Sequence, residues 1–574
     1  MSHYAYGEDE THITIRLRAK RADLTSCTLF YGDRSCRQTP VIFTKEKMHL
    51  AHRTSLYDLF EVTLDNPYKR LCYYFYLESE DESTYYYGDC FCDGVVDDRS
   101  EYFQLPFNHR DDIVNPPKWA KDAIFYNIFP DSFATKRRYI SGEPSLKEWE
   151  GHESKGLLGG TIEGITENVD YIKDLGINAI YINPIFAAGE YHKYDLLDYY
   201  HIDPCFGTDE DFKELVRTFH SNGIRVVIDG VFNHCGWNFF AFDDVVRNGE
   251  NSKFKDWFYG LKFPVVRPET FEEYPTYDCF GYERMMPKLD LSNKETRDYF
   301  VNVGKYWVRE FGIDGWRLDV ASEVNDSFWR AFNAAVKEEN PDAILIGEVW
   351  ESAGHWLDGT IFDGAMNYDF RKHSRRFFAE RSIDAQEFAD RITDMYTRYR
   401  KQTVFSQLCL LDSHDVSRFL SLCNGDEDRY KMAVLFLMTF PGMPSVFYGD
   451  EKNITGVLEK DYRKPMPWST EETNLGRFYK KVIALRKDEE ALRSGEFKVV
   501  KADKDDHLIG FIRYTKDIDI IVLMNMSDED KIIDSGSLFE SETEIESQVL
   551  LSEGFEDNKL SSKGYAVIKR ARLG

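Results

Sequence analysis

The chain has 574 residues, 42% of them hydrophobic and 15% aromatic, which is more than one core accommodates; roughly 150 residues per domain predicts three or four units. Its 100 acidic and 72 basic side chains leave a net charge of −28, with a pI near 5.0. That balance argues against a nucleic-acid partner and is compatible with a neutral ligand. The first residues lack the basic and apolar regions of a signal peptide, and no apolar run reaches transmembrane length. No membrane partner is therefore expected, and the ten scattered cysteines fit reduced thiols in a cytoplasmic protein. Cys90-Phe-Cys92 has no second pair and no histidine set near it in sequence, which argues against zinc there.

Residues 1–115 read as short alternating strands separated by turns, for example 13–18, 27–31 before Gly32-Asp33, and 71–77. This is the pattern of a β-sandwich. Asn115-Pro116-Pro117 marks a stiff boundary. Over 118–490 the pattern becomes apolar strand followed by amphipathic helix. Eight strand ends are expected at Phe129-Pro130, Ile182-Asn183, Ile228-Asp229, Leu318-Asp319, Gly347-Glu348, Met366-Asn367, His414-Asp415 and Gly449-Asp450. Eight such repeats predict a (β/α)8 barrel. The 90 residues from Asp229 to Asp319 leave room for an inserted domain after the third strand, and 234–292, with aromatics but little helical period, is assigned to it. Helices are expected over 295–310 and 476–487. Residues 491–574 read as a second, C-terminal β-sandwich. The predicted fold is therefore a multidomain α/β chain, a TIM barrel flanked by two sandwiches.

Five of these strand ends carry acids, and three of them, Asp319, Glu348 and Asp415, are the candidates for chemistry. Active sites of such barrels lie at the C-terminal ends of the strands, and paired carboxylates flanking a bond are the machinery of glycoside hydrolysis. Residues two apart on a strand share a face, so Arg317 is expected beside Asp319, lowering its pKa and keeping it ionised as a nucleophile. Glu348 would then feel the charges of Asp319 and Asp415 and stay protonated as a general acid. The bland alternative is that each acid caps a helix or pairs on the surface.

The segments Asp229-Gly-Val-Phe-Asn-His234, Gly315-Trp-Arg-Leu-Asp-Val-Ala-Ser-Glu323, Gly347-Glu-Val-Trp350 and Ser413-His-Asp415 resemble, in order, the four main motifs of the alpha-amylase family, glycoside hydrolase family 13. The resemblance implies a retaining mechanism with Asp319 as nucleophile, Glu348 as acid/base and Asp415 as auxiliary acid. It further implies that Arg317, His234 and His414 hold the reacting sugar, that Asp229 and Asn233 brace the site, and that Tyr194 stacks on the sugar. Arg463 matches an arginine near the non-reducing subsites, although Glu459-Lys460 stands where the family usually has Asp-Pro.

Met286-Pro-Lys-Leu-Asp290 resembles the Met-Pro-Lys-Leu-Asn signature of the neopullulanase, cyclomaltodextrinase and maltogenic amylase group, and Val320-Ala-Ser-Glu323 resembles its Val-Ala-Asn-Glu, whose glutamate lines the acceptor side. Trp350, Trp356 and Tyr368 match aromatics around the cleft. The group implies oligosaccharide substrates (cyclodextrin, pullulan, maltodextrin) and a homodimer in which the N-terminal domain covers the partner's active site. Relatives often hold calcium in a loop after the first strand together with a Gly-Gly-Asp motif. Here Ala134-Thr-Lys-Arg-Arg138 and Gly159-Gly-Thr161 stand instead, so this calcium site is expected to be absent and no cofactor is expected. The alternatives are another family α-glucosidase, a glucan transferase or isomerase, or an inactive sugar-binding scaffold.

Overall fold

The computed structural model describes residues 2–66, 68–136, 157–270, 272–533 and 547–572. The chain divides into two compact units. One comprises Met1–Asn115, Arg381–Val404 and Gly495–Gly574; the other comprises Pro116–Glu380 and Phe405–Ser494. Grouping 381–404 with the two terminal segments was not expected from the strand–helix alternation.

In the first unit, the N-terminal segment forms two antiparallel sheets. Ala5–Gly7, His12–Lys20, Tyr57–Asp65 and His49–Arg53 make one. Thr44–Lys47, Ser26–Gly32, Leu71–Glu78, Ser83–Tyr86 and Phe91–Cys92 make the other, with Phe103–Leu105 also on Leu71–Glu78. Alternate residues of facing strands, among them Ile13, Ile15, Leu29, Val62, Leu64, Tyr73 and Phe75, close on one core, as a period of two requires. The described C-terminal strands form one antiparallel sheet centred on Ile518–Asn525 and Lys559–Ala571. Arg16, Glu61, Lys401 and Glu496 interlock within this unit: Arg16 Nε meets Glu61 at 2.7 Å, and Lys401 Nζ meets Glu61 at 2.7 Å and Glu496 at 3.1 Å.

The second unit is built on a closed barrel of eight parallel strands taken in chain order: Phe125–Ile128, Ala179–Ile182, Arg225–Gly230, Gly315–Leu318, Ile344–Gly347, Gly364–Asn367, Leu408–Leu410 and Met443–Phe447. Inward side chains such as Tyr181, Val227, Ile346, Met366 and Leu410 fill it. The helices between strands begin at identifiable caps. Thr208 forms a capping box with Asp211 for Asp209–Ser221, and Asn293 accepts the first amides of Lys294–Phe311, which stops at Gly312 in a left-handed turn (φ 69°).

Two strand ends differ from expectation. The seventh strand leaves its ladder at Leu410, so Asp415 stands on the following loop, pinned by a bridge between Ser413 and Val416. The eighth ends at Phe447, and Asp450 opens a short 3-10 turn after left-handed Gly449. The inserted segment is also more ordered than its sequence suggests, holding a nine-residue helix, Phe240–Asn248, and a hairpin of Cys279–Phe280 with Glu283–Pro287. No helix among the described residues is long and apolar enough to cross a membrane.

Candidate active site

Adjacent parallel strands bring the acids together. Asp229 pairs in register with Arg317, and Arg317 with Ile346, one step before the strand end that delivers Glu348. The backbone amide of Asp319 donates to Gly230 O and that of Glu348 to Leu318 O, both at 2.9 Å, which extends the ladder one residue and locks both acids at the rim. They face a cavity of about 720 Å³ whose wall also includes Tyr194, His234, Glu323, Trp350, Asp415 and Arg463.

At the centre lies Arg317, fully buried. Its Nη1 donates to Asp319 Oδ1 at 2.8 Å and Asp229 Oδ1 at 3.0 Å. Its Nη2 lies 3.0 Å from Glu348 Oε2, as an ion pair without the alignment of a hydrogen bond, and 3.8 Å from Asp415 Oδ2. One positive charge thus serves four carboxylates. This corrects the expectation that Arg317 would lower the pKa of Asp319 and keep it ionised. Burial pushes the Asp319 carboxyl well above the usual range, the charge of Glu348 adds to that, and Arg317 only opposes it. Asp415 goes the other way. Burial works to raise it, but His414, Arg317 and Arg463 overcome that and hold it well below the ordinary value.

Each oxygen of Glu348 is addressed: Trp350 Nε1 donates to Oε1 at 3.0 Å, and the Val320 amide donates to Oε2 at 2.9 Å. To do so Val320 adopts a left-handed backbone (φ 45°, ψ 43°), which a β-branched residue rarely tolerates. The Trp350 ring lies flat on Tyr368, centroids 3.8 Å apart.

Arg317 and His414, expected to hold the sugar, are fully buried and stand behind the cavity wall, holding the acids instead. His414 lies with Nε2 3.0 Å from Asp415, its Nδ1 2.9 Å from the Asn183 amide, and its ring parallel to Tyr194 (5.6 Å, 6°). Tyr194 donates to Asp229 Oδ2 at 2.8 Å, and Tyr181 does so at 2.6 Å, so Asp229 is spent inside the barrel. His234 is in the wall. Its Nε2 has no hydrogen-bond partner among the described residues, and burial, with the charge of Lys288, lowers its pKa to about 3, so it is a neutral imidazole.

Arg463 lines the cavity, donating to Tyr191 Oη at 2.8 Å and to Glu459 at 2.9 Å, with Asp415 at 3.6 Å. Glu459 therefore occupies the place left open by the missing Asp-Pro. Trp356 does not line the cavity; its ring meets His355 edge-on. Lys288, inside the Met286–Asp290 motif, was not singled out from sequence. Its Nζ reaches Asn233 Oδ1 and lies 3.2 Å from Glu323 Oε2, so it joins two expected site residues. Asn183, Phe280 and Glu283 were missed as well, because only the fold shows that they meet the site.

In the described part of the segments matching the relatives' calcium loop, the side-chain oxygens are already engaged by the backbone. Asp131 takes the amides of Leu158 and Gly159 at 2.9–3.0 Å, and Thr161 Oγ1 caps the helix Ile162–Glu167. These oxygens already serve backbone N–H groups, whereas calcium needs six to eight of them. Arg137 and Arg138, part of that expectation, lie outside the described residues.

Comparison with known proteins agrees with this geometry. A family model described as "Alpha amylase, catalytic domain" matches residues 127–478, and one described as "Alpha amylase, N-terminal ig-like domain" matches 1–109. The chain belongs to the alpha-amylase family. It is a glycoside hydrolase, 39% identical to a cyclomaltodextrinase of Geobacillus thermopakistaniensis (strain MAS1), over 92% of this chain and 90% of that protein. It is 38% identical to neopullulanase 2 of Thermoactinomyces vulgaris, with 92% and 90% covered. A solved cyclomaltodextrinase structure superposes with a TM-score of 0.90 at 35% identity, covering 99% of this chain and 98% of that one. Membership of this family supplies the reaction class to a site whose acids were located independently of it.

Proposed function

We propose that this glycoside hydrolase cleaves α-1,4-glucosidic bonds in cyclodextrins, pullulan and short maltodextrins with retention of configuration, and transfers some glycosyl units to sugar acceptors. The observation that carries this reading is Arg317 lying against Asp319, Glu348 and Asp415 beside a cavity of about 720 Å³. Two carboxylates gathered on one guanidinium suit a retaining pair, whose carboxyl groups stand about 5 Å apart, better than an inverting pair with a water between them.

In this mechanism Glu348 delivers a proton to the glycosidic oxygen. Asp319 attacks the anomeric carbon as the bond to that oxygen breaks, giving a glycosyl ester and a leaving sugar that carries the proton. Glu348, now a carboxylate, takes a proton from water or from a sugar hydroxyl. The resulting oxygen displaces Asp319, and Glu348 is reprotonated. Asp415, held ionised by His414, Arg317 and Arg463, accepts sugar hydroxyls and stabilises positive charge on the ring. Tyr194 and the neutral His234 supply a stacking face and a ring nitrogen to the same sugar. Glu323, Trp350 and Arg463 flank it toward the acceptor and non-reducing sides. No metal takes part.

The names of the relatives support the substrate range, and the match over 1–109 supplies the N-terminal domain with which the protein would form a dimer covering the partner's cleft. Rates and products on β-cyclodextrin, pullulan and soluble starch test the first; starch turned over far faster than the other two refutes the narrow site. A monomer by sedimentation refutes the second. The cysteine usage, ten free thiols, supports a cytoplasmic location.

A further inference from the structure

The first unit carries a cluster of side chains that the hydrolytic reaction does not use. The hairpin formed by Ser83–Tyr86 and Phe91–Cys92 turns through residues 87–90, closed by the Tyr87 amide on Cys90 O at 2.9 Å. The turn is tied to a distant stretch of chain. The Gly88 amide donates to Glu101 O at 2.9 Å, the Val96 amide donates to Tyr87 Oη at 3.0 Å, and Tyr102 Oη donates to Val96 O at 2.9 Å. A side chain at 88 would press on Glu101 O at 3.1 Å, so the glycine permits that approach. The turn therefore holds its place without a ligand.

Two results follow. The ligating atoms of Asp89, Cys90 and Glu101 all lie within 4.8 Å of one another, and among the described residues this is the one such group of His, Cys, Asp or Glu side chains. In addition, the Sγ atoms of Cys90 and Cys92 stand 3.6 Å apart, unbridged. A tetrahedral ion with metal–sulfur bonds of about 2.3 Å spaces its two sulfurs by about 3.8 Å, so the thiol pair is already near a chelating bite. Cys90 and Glu101 are half-buried and Asp89 is exposed, so an ion can enter and a carboxylate can swing onto it.

We propose that Cys90 and Cys92, with Asp89 and Glu101, form a site for a thiophilic divalent cation of the zinc or cadmium class, fastening the 87–92 hairpin to Glu101. Binding exchanges two protons for the ion: each thiol loses its proton to solvent and donates as thiolate, and because Cys92 stands outside the 4.8 Å group, the Asp89 and Glu101 carboxylates rotate onto the ion to complete a four-donor set. The spacing Cys-Phe-Cys alone did not reveal this, because the other two donors come from the turn and from a residue nine positions beyond Cys92. The donors are sulfur and carboxylate, which select against calcium and magnesium.

The test is a titration of the reduced full-length protein with cadmium or zinc alone. Cadmium should give a thiolate charge-transfer absorption band saturating at one equivalent, with two protons released per ion. Cys90→Ser and Cys92→Ser should each abolish the stoichiometric band, Asp89→Asn and Glu101→Gln should weaken binding by about tenfold or more, and Cys36→Ser should leave it intact. Maltodextrin hydrolysis, whose machinery lies in the other unit, should persist in every variant, and a circular dichroism spectrum and melting curve like those of the wild type certify folding of the substituted unit. Absence of the band from the reduced wild type overturns the proposal, as does a one-equivalent band that survives in the Cys90→Ser/Cys92→Ser double variant.

Discussion

Lys288 reaches across from the inserted hairpin to Glu323, its Nζ 3.2 Å from both a carboxylate oxygen and the backbone carbonyl of that residue. The same ammonium also holds Asn233. A motif that reads as a signature of relatedness is thus also a clamp between the insertion and the loop after the fourth barrel strand. Lys288→Met keeps the length of the stem and removes the clamp. It should raise KM for cyclodextrin by about tenfold, or roughly 1.4 kcal/mol, and lower the ratio of transfer to hydrolysis, with kcat for hydrolysis less affected. Product analysis with and without a glucose acceptor measures both; an unchanged transfer ratio contradicts the clamp.

Asp319→Asn should abolish turnover while stabilising the fold. A carboxyl whose folded pKa is raised contributes stability that is present below its unfolded value near 4 and is lost as pH rises toward the folded value. Asparagine removes that loss. The variant should therefore melt above the wild type at pH 7.5, and the gap should close toward pH 4.5. Paired melting curves check this; a variant less stable at neutral pH shows that Arg317 outweighs burial.

Asp415 predicts the opposite slope. Its folded pKa is depressed, so its stabilising contribution is present above an unfolded value near 4 and fades as pH falls toward the folded value. Asp415→Asn should cost stability at pH 7 and progressively less in acid, while lowering kcat/KM at all pH values. A stability difference independent of pH would rule out the ion pairs with His414 and Arg463 as its source.

Added calcium and the calcium-selective chelator EGTA should both leave the melting temperature and activity unchanged, because Asp131 and Thr161 already serve backbone amides. A melting temperature that falls in EGTA and recovers with calcium would refute this.

The barrel was legible because most of its strands are short apolar runs closed by a polar residue, and the acids could be counted along it. What spacing could not reveal was the exit of the chain from the ladder after Leu410, since Leu411 prolongs the apolar run although it no longer pairs. The helix Phe240–Asn248 was hidden for a related reason: it begins at Phe239 without a side-chain cap, and its aromatics blur the polar face. At the site, the identities of Asp319, Glu348 and Asp415 were readable, but the sharing of Arg317 among four carboxylates was not. That depends on distances between strands, and it is burial, with the charge of Glu348, that reverses the expected electrostatics of Asp319. Trp356 was placed near the cleft by resemblance, yet a loop position carries no direction, and it lies off the cavity wall.

Val320 follows Asp319 directly and holds Glu348 through its amide, in a backbone conformation that glycine would adopt freely. Heat resistance and turnover are therefore set against each other at this one position. A screen that selects only for survival at high temperature should accumulate glycine or asparagine at 320, relaxing the turn and loosening the two acids on either side of it. A screen that selects for turnover should keep the valine, so the residue recovered at 320 reports which pressure the population experienced.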